Sequence, residues 1–127
     1  MSASACRAFF DAWNRRDFDE AMTHVAEECS YNDFSFVRPH VGKASVRGLF
    51  EGVAKVAPHV SFHIHDITGE HDVGVYWEIY AHGAPTGRMG VSFYKFDDAD
   101  RLVWALDAAD PGPAHRTNDF HLPDPPA

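Results

Sequence analysis

VSFHIHDITGEHDVGVYWEIY, residues 60–80, is the stretch that decides the architecture. Val60, Phe62 and Ile64 alternate with Ser61, His63 and His65. After Gly69 and Glu70, Val73, Val75, Trp77 and Ile79 alternate with Gly74, Tyr76, Glu78 and Tyr80. A period of two on both sides of a turn predicts a hairpin with one apolar face. Downstream, Gly83-Ala84-Pro85-Thr86-Gly87 reads as a turn and residues 88–96 as a third strand. Asp97-Asp98-Ala99-Asp100 then reads as a tight turn into a last strand over 101–108.

Upstream the period is helical. Ala5, Ala8, Phe9, Ala12 and Trp13 predict an amphipathic helix over 3–14, broken at Asn14-Arg15-Arg16. Asp17 and Glu20 have capping-box spacing, and Phe18, Ala21, Met22 and Val25 form the apolar face of a second, shorter helix. A short strand holding Tyr31 and Asp33 is expected around 29–34, then a loop through Arg38-Pro39-His40. After Gly42, the stripe Val46, Leu49, Phe50, Val53 and Ala57 predicts a third helix that Pro58 stops. The order helix, helix, strand, helix and four antiparallel strands gives an α+β cone: one curved, mainly antiparallel sheet wrapped around the N-terminal helices, enclosing an apolar pocket. Residues 1–110 make the single domain. Residues 111–127, rich in proline, form a loose tail in which Phe120 and Leu122 could plug the pocket.

Composition fits that picture. The 127 residues are 45% hydrophobic and 24% charged, as in an ordinary globular domain. Nineteen acids against 11 bases give a net charge of −8, which repels phosphate backbones and anionic headgroups. Neither nucleic acid nor membrane is an expected partner. Cys6 and Cys29 are too few for a disulfide framework and read as packed, reduced thiols. No secretory signal or membrane-length apolar run is visible, so a cytoplasmic location is expected.

Three segments, FFDAWNRRDFDEAMTHVAEECSYND (9–33), VGKASVRGLF (41–50) and GVSFYKFDDADRLVWALDAADP (90–111), carry a resemblance. In their order and spacing the chain resembles the SnoaL-like branch of the nuclear-transport-factor-two-like superfamily, which includes ketosteroid isomerases and polyketide cyclases. The resemblance implies that Asp33 stands where the isomerases keep a proton-moving aspartate. It also puts Asp107 where the cyclases and epoxide hydrolases keep a late-strand carboxylate. Parity agrees: with Ser92 and Tyr94 facing the cone, the matching phase of the last strand is Val103, Ala105 and Asp107. The isomerases' oxyanion-hole positions hold Phe9 and Ser92, which argues against steroid isomerisation.

The resulting expectation is a cofactor-independent enzyme in which Asp33 and Asp107 perform acid/base chemistry on a small apolar or aromatic carbonyl compound. The reaction would be an isomerisation, an aldol-type cyclisation or a dehydration. Phe9, Trp13, Tyr31, Val75, Trp77, Ile79, Ser92, Tyr94 and Ala105 would form the pocket. A non-catalytic ligand-binding or dimerisation module of the same fold is the alternative. His59, His63 and His65 share one strand face and suggest a less favoured metal site. That face points away from the cone, and His63, Tyr76, Glu78 and Tyr80 on it are expected to form a homodimer interface, with His63 near Tyr76 and His59 near Tyr80. Arg38 and His40 are expected at the pocket mouth.

Overall fold

The computed structural model describes residues 2–116 and 119–127. Helix α1 (Ser2–Asn14) buries Cys6, Phe9, Phe10, Ala12 and Trp13. The chain then turns at Arg16, in the left-handed region at φ 63°, and enters α2 (Phe18–Thr23). Asp17 caps that helix by accepting the Glu20 amide hydrogen bond at 3.1 Å. Only half of the expected capping box forms, because the Glu20 carboxylate turns to Arg15 instead. Val25, expected on α2, opens strand β1 (Val25–Asp33). The expected loop through His40 contains a two-residue strand, β2 (His40–Val41), before α3 (Lys43–Val56). Strands β3 (Val60–Gly69), β4 (Asp72–Ala81), β5 (Ala84–Phe96) and β6 (Leu102–Ala109) complete one sheet in the order β2-β1-β6-β5-β4-β3. All pairs are antiparallel except β1 with β6.

Three local departures from the sequence reading have physical causes. The second hairpin turns at His82-Gly83, both left-handed at φ 52° and 74°, so Ala84 already pairs with Ala81. Two residues of positive φ match the twist of flanking strands, which makes Ala84-Pro85-Thr86-Gly87 part of the strand. The first hairpin pairs Gly69 with Val73, three positions beyond the expected partner, and a bulge at Ile64–Asp66 takes back one of the three. Gly69 (φ 101°) permits this turn, since a Cβ there would lie 1.8 Å from the Asp72 carbonyl oxygen. On β6 an irregularity gives the buried place to Leu102 rather than Val103.

The helices lie on the sheet's concave face and are held there by polar clamps. The Asn14 amide donates to the Phe62 carbonyl at 2.8 Å and accepts from the Phe62 N–H at 2.9 Å, so it acts as a one-residue strand on the exposed edge of β3. Arg16 stacks on Trp13 and donates to the carbonyls of Ala57, Pro58 and Val60, which fixes the α3–β3 connection. Between these clamps and the sheet stands an aromatic core. Phe9 meets Phe50 and Tyr94, Tyr31 meets Phe50, and Trp77 meets Phe62, with ring centroids 5.2–6.3 Å apart.

Trp77 is placed by an absence of side chain. It pairs with Gly90 on β5, and its indole lies so flat over that residue that a Cβ there would stand 2.2 Å from the ring. Gly90→Ala is therefore expected to force the indole out of place and cost about 1–3 kcal/mol of stability. Urea denaturation followed by tryptophan fluorescence reads this, and an unchanged midpoint would show that the ring has room to give.

Candidate active site

The concave face and the helices enclose a cavity of about 240 Å³. Its wall is aromatic and aliphatic: Phe9, Phe10 and Trp13 from α1, Leu49, Phe50 and Val53 from α3, and Phe62, Trp77, Ile79, Tyr31 and Tyr94 from the sheet. Two carboxylates interrupt it, Asp33 and Asp107, which are Cα partners on the parallel strands β1 and β6.

Asp107 is the better-defined group. Its Oδ1 accepts hydrogen bonds from Ser92 Oγ at 2.5 Å and Tyr94 Oη at 3.1 Å, and its Oδ2 from Tyr31 Oη at 2.6 Å. Ser92 in turn accepts from Trp77 Nε1 at 2.8 Å. Burial pushes the Asp107 carboxyl up from its ordinary 3.8 to about 6. The Ser92 and Tyr31 bonds pull it down, the neighbouring charge of Asp33 pushes it up, and the Tyr94 bond again lowers it. Burial, followed by the charge of Asp107, raises both Tyr31 and Tyr94 well above an ordinary phenol, so both remain protonated donors.

Asp33 is half-buried at the end of β1, where its Oδ1 accepts the Ser35 amide at 2.7 Å in an Asx-turn. Among the other expected pocket residues, Phe9, Trp13, Tyr31, Trp77, Ile79 and Tyr94 line the cavity. Val75 and Ala105 are buried without lining it, and Ser92 reaches it only through Asp107. Phe10, Phe36, Leu49, Phe50, Val53, Phe62 and Ala109 also line it. Leu49, Phe50, Val53 and Phe62 carried a signal, as the apolar phases of α3 and β3. Phe36 belongs to a loop without period.

The remaining candidates lie outside the cavity wall. His63 stacks on Tyr80 at 3.6 Å rather than near Tyr76, and His59 stacks on His82 rather than near Tyr80, which follows from the shifted hairpin register. His65 bonds Glu78 at 2.7 Å. Glu78 faces outward yet is 5% exposed, because Gly87 N–H also closes on it; the His65 bond and then the Gly87 bond hold its carboxyl below the usual range. Among the described residues no three His, Cys, Asp or Glu side chains stand together as metal ligands. Burial pushes the Cys6 and Cys29 thiols up to about 12, which leaves them protonated core residues. Arg38 lines a second groove that shares Asp33 and Phe36 with the cavity, and His40 packs edge-on against that Phe36, so both stand beside the cavity. Phe120 and Leu122 are exposed and do not line the cavity. No helix among the described residues is long and apolar enough to cross a membrane.

A family model, the SnoaL-like domain, matches residues 6–105. Solved structures share the fold at low identity. A candidate ketosteroid isomerase from Kribbella flavida superposes with a TM-score of 0.74 at 16% identity, covering 99% of this chain and 90% of that one. IdmH, a candidate polyketide cyclase from Streptomyces antibioticus, gives 0.73 at 13% identity, with 87% and 92% covered. A SnoaL-like protein of unknown function from Burkholderia thailandensis gives 0.73 at 21% identity, with 86% and 93% covered. No curated protein matches the sequence.

The raised carboxyl has a consequence for stability. Between about pH 4 and 6 the folded chain holds a proton on Asp107 that the unfolded chain has lost, so stability falls as pH rises through that window. Asp107→Asn keeps the shape and removes the buried charge. It is expected to raise stability above pH 7 by on the order of 2–3 kcal/mol and to leave it unchanged at pH 4. Urea midpoints of both proteins across pH 4–8 test this, and parallel curves would contradict it.

Proposed function

The chain belongs to the SnoaL-like domain family, and on that premise we propose that it is a cofactor-independent enzyme performing acid/base chemistry on a small apolar or aromatic carbonyl compound. The reaction class is isomerisation, aldol-type cyclisation or dehydration. All three begin with removal of a proton from carbon beside a carbonyl. The observation that carries the reading is Asp107, a carboxylate in an aromatic cavity with its pKa raised to about 6. A base tuned upward toward neutrality is ionised at pH 7 and stronger than an ordinary aspartate. Asp33 is the second carboxylate of the site, and its charge helps to keep Asp107 basic.

The wall narrows the substrate. Among its described residues none is Lys, Arg or His, and two are carboxylates, so the favoured ligand carries no negative charge. At about 240 Å³ the cavity falls below the usual range of roughly 300–1,000 Å³ for drug-sized ligands, which suits one or two rings.

The test is exchange of the α-protons of benzylideneacetone, a one-ring neutral enone, followed by proton NMR in deuterated buffer. Exchange is expected to rise with pH through about 6 and then level as Asp107 becomes fully ionised. Asp107→Asn should slow it by roughly 10²-fold or more. Exchange no faster with the wild type than with that variant would refute the enzyme reading and favour a binding module.

The proposal includes a homodimer through the outer sheet face. Supporting it, Tyr76 and Val91 are cross-strand partners there, exposed by 43% and 53%, and Phe93 beside them is 40% exposed and packs on Trp104. This apolar centre lies next to, rather than on, the cluster in which His63 stacks on Tyr80 and His65 and Gly87 hold Glu78. A two-fold axis through such a patch sets it against itself. Sedimentation equilibrium should give twice the chain mass for the wild type and a monomer for Val91→Asp; a monomeric wild type would refute the dimer.

A further inference from the structure

We propose that Tyr31 is the hydrogen-bond switch of the site: it holds Oδ2 of ionised Asp107 and, once that oxygen is protonated, turns its hydroxyl hydrogen onto the oxygen of the bound carbonyl compound. The inference rests on the acid/base reading above and adds an oxyanion donor where Phe9 and Ser92 provide none.

The direction of the hydrogen bonds carries the argument. An indole N–H donates and accepts nothing, so the bond from Trp77 to Ser92 runs one way. Ser92 must therefore send its own hydrogen elsewhere, and Asp107 Oδ1 receives it. Tyr94 is the second donor to the same oxygen. Oδ1 is thus doubly held as an acceptor, while Oδ2 has Tyr31 alone, so an incoming proton settles on Oδ2. A proton on the free lone pair of Oδ2 turns that oxygen from a charged acceptor, held by Tyr31 at 2.6 Å, into a neutral hydroxyl oxygen that accepts only weakly. Rotation about the Tyr31 Cζ–Oη bond then lets the hydroxyl swing its hydrogen to a better acceptor. Within the protein the next acceptor is Tyr94 Oη, at a long 3.3 Å. Tyr31 also lines the cavity, where a substrate carbonyl offers the better acceptor.

The step balances. Asp107 Oδ2 takes a proton from the carbon beside the carbonyl, the C–H pair becomes the enolate C=C bond, and the negative charge moves to the carbonyl oxygen. Asp107 is then neutral, its proton still facing the substrate and its hold on the Tyr31 hydrogen weakened, and Tyr31 donates to the enolate oxygen. When the proton is delivered to another carbon, Asp107 is again a carboxylate and Tyr31 turns back. The donor reaches the oxygen only as charge develops on it, which is the condition for lowering the barrier rather than merely tightening binding. Trp77 and Ser92 are positioning residues, since they act through Oδ1.

The test uses the whole chain with tyrosines labelled at Cζ and benzylideneacetone labelled with ¹³C at its carbonyl. In the ligand-free protein the Tyr31 Cζ signal should move as Asp107 titrates, and stay still in Asp107→Asn. With the enone bound, its carbonyl signal should move downfield as pH falls through the same range. Tyr31→Phe should abolish that movement and slow α-proton exchange by roughly 10²-fold, whereas Ser92→Ala should keep the movement and shift its midpoint upward. A Tyr31 signal indifferent to Asp107, or a carbonyl shift that survives Tyr31→Phe, overturns the switch. A wild-type protein that does not bind the enone overturns the substrate reading instead, and the ligand-free tyrosine signal then decides the switch by itself.

Discussion

A carboxylate withdrawn from water must be met by donors that replace the water, and Asp107 meets that requirement with three hydroxyls drawn from two neighbouring strands. Tyr31 comes from β1, Ser92 and Tyr94 from β5, and the carboxylate itself from β6 between them. Trp77 extends the chain to β4. One hydrogen-bonded line therefore laces four adjacent strands at a single level of the sheet. The register of the three pairs among them is constrained by it, because a one-residue slip would send a strand's share of the set to the outer face.

The cavity persists because the helices are prevented from collapsing onto that line. An unfilled space forfeits dispersion contacts along its lining, so packing alone would favour closure. Asn14 and Arg16 oppose this by pinning the end of α1 to backbone groups of β3 and the connection before it. These bonds have fixed lengths and directions, unlike the contacts of an apolar interface. They set a standoff that the aromatic side chains span edge to face without filling.

The sequence disclosed what periodicity can carry. Alternation in Val73, Val75 and Trp77 marked the inner face of β4, and the α3 stripe marked Leu49, Phe50 and Val53 without revealing that they bound a cavity. Asp107 was legible through parity with Ser92 and Tyr94, since an antiparallel pair preserves phase. What escaped was whatever depended on exact chain length. The turn of the first hairpin, set beyond Gly69-Glu70, moved the histidines to other partners and the bulge near His65 moved them part of the way back; neither leaves a mark in an alternating pattern. The parallel pairing of β1 with β6 is also invisible to periodicity, although it brings Asp33 beside Asp107. The indole over Gly90 is a contact between residues 13 apart, which no local pattern encodes.

The energetics of the site and of the fold pull in opposite directions through the same group. Burial makes the ionised Asp107 costly to keep, and relief comes when it takes up a proton. That is the direction of the proposed chemical step, so the resting state leans toward the transition state. The three hydroxyls set the limit on this. With fewer donors the carboxyl would rise further, becoming a stronger base that is less often ionised at neutral pH; with more, it would approach an ordinary aspartate and lose its basicity. A pKa near 6 lies between those failures, ionised in most molecules at pH 7 while still raised. The network that laces the sheet therefore also sets the strength of its base, and neither property can be changed at Tyr31, Ser92 or Tyr94 without changing the other.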